Sequence, residues 1–133
     1  MLLLLYIKVQ NMSGFTSILL LIISNAFMTY AWYGHLQLEK DNWVMRWGII
    51  GVILFSWGIA LFEYIFQVPA NRIGYQEHGG PFSLFQLKLI QEVVSLSVFT
   101  FFALLVFKTD KLQWNHIAAM VCILLAVFFI FKK

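Results

Sequence analysis

Three charged side chains stand inside stretches that are otherwise apolar: Glu63, Lys88 and Glu92. A charge at the middle of a lipid bilayer costs ~2.5–3.5 kcal/mol, and less toward the surface, so such a group must pair, take up a proton or face water. Lys88 and Glu92 are four residues apart and share a helix face, with Gln91 and Ser95 on or beside it. At 100° per residue, Ser56, Glu63 and Gln67 fall within one narrow arc. The two polar stripes are expected to meet, with Asn71 and Arg72 close by in sequence. The candidate proton- or substrate-binding set is therefore Glu63, Glu92, Lys88, Arg72, Gln67, Asn71 and Gln91. In it the glutamates hold the proton or substrate, Lys88 and Arg72 tune them, and the amides supply hydrogen bonds. The same residues also suit a permanent ion network that fastens one helical hairpin.

Helix length is what forces these groups into the membrane. A bilayer core of ~30 Å needs ~20 residues of helix. Four segments qualify, at residues 15–34, 47–66, 84–107 and 112–131, within a single membrane domain over 15–133. The uncharged stretch before Glu63, residues 47–62, spans only ~24 Å, and that after Glu92, residues 93–107, only ~22 Å. Neither segment crosses without drawing its glutamate below the headgroups. Short connectors make each helix antiparallel to the one before it, so both glutamates are expected at similar depth on one side. The expected fold is an all-α membrane protein, an antiparallel four-transmembrane-helix bundle.

Residues 1–14 read as an N-terminal lead-in, too short and too poorly flanked for a signal peptide, with Met1 or Met12 as the start. The second segment is expected to stop before Pro69. The connector after it holds Pro69, Gly74, Gly79, Gly80 and Pro81, and its glycines are expected to let it move. Asn25, Thr29 and Tyr33 stripe the first segment. Gly48, Gly51 and Gly58 on the second, and Asn115, Ala118, Ala119, Cys122 and Ala126 on the fourth, suggest packing faces.

Composition points the same way. The 133 residues are 62% apolar and 11% charged, against roughly 45–50% and about 25% in a soluble domain. So small a globule could not cover its surface with so few polar residues, and disordered chains are poor in apolar residues. The net charge of +3 comes from scattered basic residues whose one adjacent pair is Lys132–Lys133, which argues against nucleic acid. The single cysteine, Cys122, forms no intrachain disulfide. No phosphate loop, paired-histidine zinc helix or nucleophile elbow occurs, so neither an enzyme, a cofactor nor a metal is expected; His35 and His116 are too few ligands. The side holding the first and third connectors carries Lys40, Arg46, Lys108 and Lys111, the other Lys8, Arg72, Lys88, Lys132 and Lys133. With so little asymmetry, two orientations stay open: both termini in the cytoplasm, or insertion both ways with pairing as an antiparallel homodimer.

Four motifs carry a resemblance: residues 25–36 (NAFMTYAWYGHL), 56–75 (SWGIALFEYIFQVPANRIGY), 86–93 (QLKLIQEV) and 112–115 (LQWN). Together they resemble a small uncharacterised four-transmembrane-helix bacterial family of the drug/metabolite transporter superfamily, and more distantly the small multidrug resistance transporters. The resemblance implies a multi-pass protein of the cell inner membrane. The distant relatives are proton-coupled antiporters, working as antiparallel dimers with an essential first-helix glutamate. The first segment here has no acidic residue, so that mechanism does not carry over. The expected function is transport of a small, cationic or amphipathic metabolite, proton-coupled or facilitative, by a homodimer in membrane lipid. The alternative is a non-transporting accessory protein whose Glu/Lys cluster is a packing network.

Overall fold

The computed structural model describes residues 1–38, 42–108 and 111–132. Lys40 and Lys133, both in the charge comparison above, lie outside the described residues. The chain folds into helices α1 (Leu2–Tyr33), α2 (Trp43–Arg46), α3 (Gly48–Gly74), α4 (Leu84–Phe101) and α5 (Trp114–Phe131). A short 3-10 turn, Gly34–Gln37, follows α1, and a π turn, Phe102–Val106, extends α4. Four of these helices are long and apolar enough to cross a membrane, which makes the chain an all-α, multi-pass membrane protein.

Two boundaries differ from expectation. α1 begins at Leu2, so residues 2–14 are continuous with the first apolar helix, which starts earlier than residue 15. Leucine is a strong helix former. Gly14 does not interrupt the helix because it is a crossing point: a Cβ there would lie 3.0 Å from Pro81 Cγ. α3 does not stop before Pro69 but runs through it to Gly74. Proline costs one ladder bond, yet the following turn is held from outside, by the Ser17 hydroxyl donating to the Ala70 carbonyl at 2.7 Å and by burial of Ala70. Gln67, Asn71 and Arg72 are consequently helical residues.

α1 is the central element. It packs along α3 on one side and against α4 on another, while α5 packs on α4. Leu21 of α1, Ala70 of α3 and Val94 of α4 form a small core, flanked by Leu20, Ile90 and Val98. Large apolar side chains such as Trp57, Phe62 and Phe128 are exposed, as suits lipid contact. No residue of α5 is fully buried: Ala118, Cys122 and Ala126 are exposed, while Ala119 lines a cavity shared with Leu96, Phe99 and Thr100 of α4. The α3 glycines have separate roles. Gly48, at φ +69°, turns the chain from α2 into α3; Gly51 is buried against the Val44 carbonyl and Trp47; Gly58 has open space around it.

The α3–α4 connector is closed rather than mobile. Gln76 N–H donates to Phe82 O at 2.8 Å, Phe82 N–H to Gly74 O at 2.9 Å, and Gly80 N–H to Tyr75 O at 3.0 Å. Gly79 takes the left-handed conformation at φ 86°. Gly80 is buried against the Gly74 backbone, and Gly74 against Ser17 and Leu87, with no room for a Cβ at either. These glycines permit close approach, which corrects their expected role as a flexible joint. At the loop's end, Ser83 caps α4 reciprocally with Gln86.

Candidate functional site

The α1–α3 contact contains an unusual number of buried polar groups: Ser17, Ser24, Asn25 and Thr29 on α1, Glu63 and Gln67 on α3. Ser17 and Ser24 are seven residues apart, two helical turns on one face, and small residues there let the backbones approach. Neither serine was among the expected site residues. Their seven-residue spacing, in line with the small Gly14, is the sequence signal that would have found them.

Gln67 is the hub. Its Oε1 accepts from the Ser24 hydroxyl at 2.7 Å. Its Nε2 donates to Gln91 Oε1 at 2.7 Å and to Asn71 Oδ1 at 3.4 Å. One side chain thus ties α1, α3 and α4 together. The Ser24 hydroxyl also lies 3.1 Å from the Leu21 carbonyl, which accepts from Asn25 Nδ2 at 2.7 Å as well.

One turn before Gln67 along α3 lies Glu63, 1% exposed. Its Oε2 is buried and accepts no hydrogen bond from any described residue. The register that sets Ser24 against Gln67 places Glu63 opposite the Asn25–Thr29 turn of α1. Both of those side chains are turned back on their own helix, Asn25 Nδ2 to Leu21 O and Thr29 Oγ1 to Asn25 O at 2.8 Å. Phe27 stacks on Phe62 and Phe66, with ring centroids 5.8 and 5.6 Å apart, and the two α3 rings lie on one side of Glu63 around the helix. A buried acceptor without a donor is costly, and a position that keeps one is a place where a proton or cation would be bound strongly.

The other expected site residues divide. Gln67, Asn71 and Gln91 join the network one turn from Glu63. Glu92 does not meet Glu63: it pairs with Lys88 within α4, and both side chains are at least half exposed. The cause is angular. Leu87, Gln91 and Val94 define the face of α4 turned toward its neighbours, and Lys88 and Glu92 stand roughly 100° around the helix from it. The two expected stripes thus touch through Gln67 and Gln91, while Glu63 is buried on α3 and Glu92 stays in an exposed pair on α4. Arg72 is exposed, as is Lys88, and both flank a cleft of about 260 Å³ whose lining also includes Asn71 and Gln91. Tyr33, in the expected α1 stripe, packs edge-on against Phe99, with ring centroids 5.0 Å apart.

A family described as "Putative member of DMT superfamily (DUF486)" matches residues 17–131. The chain belongs to this family. The match opens at Ser17, where α1 first bonds α3, and closes at Phe131, the last residue of α5, so the family unit is the four-helix assembly. No curated protein and no solved structure matches the chain. The superfamily is one of transporters, not enzymes. Membership and the four apolar helices make this a multi-pass membrane protein of a transporter superfamily.

Proposed function

We propose that the chain carries a small metabolite across the cell inner membrane in a proton-coupled cycle, with Glu63 as the proton-binding group, and that it works as a homodimer rather than as an enzyme. One observation carries this reading: a buried carboxylate oxygen without a donor, one turn from an amide network that reaches an open cleft. A purely structural acidic residue is normally paired or solvated, and this one is 1% exposed with an oxygen that accepts no bond from a described residue. Protonation would let Glu63 rest in its apolar surroundings; deprotonation would require Asn25 or Thr29 to turn toward it, or water to enter. Either event repacks the α1–α3 contact, which is the coupling a carrier needs. The homodimer part of the reading is supported by α5, whose outer side, with Ala118, Cys122 and Ala126, is open to a second copy.

A second reading has its own support. The Ser24–Gln67–Gln91 chain fastens three helices, and the Lys88–Glu92 pair is an ordinary within-helix bridge, as an accessory protein would use them. Proteoliposomes with an entrapped pH-sensitive dye separate the two. An imposed solute gradient across a panel of small metabolites should drive proton movement in the wild type. Glu63→Gln should abolish it while helicity and thermal stability persist, and Glu92→Gln should leave it intact. If no solute moves protons, the accessory reading stands; if Glu63→Gln moves them like the wild type, Glu63 is not the proton-binding group.

A further inference from the structure

A half-enclosed cavity of about 270 Å³ lies between α4 and α5, and its polarity is graded along the helices. Lys111, on its lining, belongs to the short connector between two membrane-spanning helices and so stands at headgroup level. His116, in the first turn of α5, lines the same end. Its Nδ1 accepts from the Gln113 backbone N–H at 3.2 Å. A backbone N–H can only donate, so the imidazole hydrogen is on Nε2 and remains as a donor. Further along both helices the walls are apolar, formed by Leu96, Phe99, Ala103, Ala119 and Met120. The Thr100 hydroxyl among them donates to its own helix, at Leu96 O, 2.8 Å away, so a hydrocarbon chain there meets no unpaired donor. No acidic side chain among the described residues lines the cavity.

We infer that this cavity is a binding site for an anionic phospholipid of the surrounding bilayer, with the phosphate at Lys111 and His116 and one acyl chain between α4 and α5. A gap with apolar walls does not hold water, and what reaches it from the membrane is lipid. The mouth selects the headgroup. Basic pockets between membrane helices take anionic headgroups, and an ammonium beside an N–H donor suits the oxygens of a phosphate. A positive charge at headgroup depth with hydrocarbon walls below it follows the order of the parts of a lipid, which a small soluble anion lacks. The bound chain also has a structural use. No residue of α5 is fully buried, and a lipid seated against both helices fastens α5 to α4. The site lies apart from the Glu63 and Gln67 groups of the α1–α3 contact, so it does not rest on the carrier reading.

The test counts bound lipid. The full chain, stripped of lipid in a neutral maltoside detergent, is titrated with phosphatidylglycerol or with phosphatidylcholine of the same acyl chains and followed by native mass spectrometry. Phosphatidylglycerol should bind saturably, one lipid per chain, and phosphatidylcholine on the order of five-fold more weakly. Lys111→Gln should weaken phosphatidylglycerol on the order of five-fold, the worth of one basic residue at a membrane surface, and leave phosphatidylcholine unchanged. Ala119→Phe fills the gap from an exposed position on α5, so the helices persist by circular dichroism. With Lys111 intact it should still weaken phosphatidylglycerol on the order of ten-fold, through loss of the seat for the chain. Glycerol phosphate, the headgroup without chains, should not compete. Equal binding of the two lipids would overturn the assignment, as would phosphatidylglycerol binding normally to either variant. Competition by glycerol phosphate would also overturn it, and would make the mouth a site for soluble anions. Selective lipid binding in a protein that moves no protons would sink the carrier reading and leave this site standing.

Discussion

Glu63 and Gln67 sit one turn apart on the same buried face of α3, yet replacing each by leucine should change stability in opposite directions. Leucine is close in size to both side chains, so cavity effects are small and the polar terms dominate. At Glu63 the wild type buries an acceptor with no donor, a condition that costs ~1–3 kcal/mol. Glu63→Leu removes the penalty and should stabilise the protein by about that amount. Gln67→Leu instead removes two interhelical bonds, to Ser24 and Gln91. Bonds of this kind average ~0.6 kcal/mol within membranes, and the Ser24 and Gln91 partners are left less well satisfied, so a loss of ~1–2 kcal/mol is expected. The two variants should differ by roughly 2–5 kcal/mol. Unfolding by SDS titration, followed by far-ultraviolet circular dichroism, reads the difference directly. A protein made more stable and inactive by one substitution has its strain stored where it works. If Glu63→Leu destabilises the chain, the carboxylate has a native partner, from water or a second copy, and its role as an unpaired proton site is refuted.

Further expectations follow from the same geometry. Glu92→Gln removes an exposed within-helix pair and should change stability by less than about 0.5 kcal/mol, measured in the same titration. Gly80→Ala drives a Cβ into the Gly74 backbone and should lower stability by ~1–3 kcal/mol or more, seen as earlier melting with the loop more open to protease; a wild-type melting curve would contradict the closed connector. Cys122 is exposed on α5, no residue of which is fully buried, so mild oxidation of the protein in membranes should yield a disulfide-linked dimer on non-reducing gels if α5 faces its counterpart. A monomer throughout, at protein densities where light scattering shows dimers, would place the dimer contact on another face.

The sequence alone determined the solvent, because a chain 62% apolar and 11% charged has too few polar residues to cover a water-facing surface. It also determined the number of apolar helices, since hydrocarbon tolerates only runs whose backbone bonds are internal. The apolar run placed the start of α4 at residue 84, and the structure adds the Ser83–Gln86 cap that holds it there. Helix ends were less legible. Pro69 carries a stop signal in isolation, but the Ser17 hydroxyl and the close seat of Gly74 on α1 hold the last turns together, and those partners lie more than fifty residues away in the chain.

Azimuth was decided by the tertiary structure. Lys88, Gln91 and Glu92 form one polar patch when read along a helix, and only the packing shows that Gln91 turns inward, to Gln67 of α3, while the other two pair outside. The serines that complete the site are weak signals in sequence, because a hydroxyl in an apolar helix is usually satisfied by its own backbone. The separation of the two glutamates has the same origin. An apolar run long enough to span lipid is a property of one helix and its composition, so it can be read from the chain. Which side of a helix meets its neighbour depends on how three helices share a small core, and that is settled only when they pack.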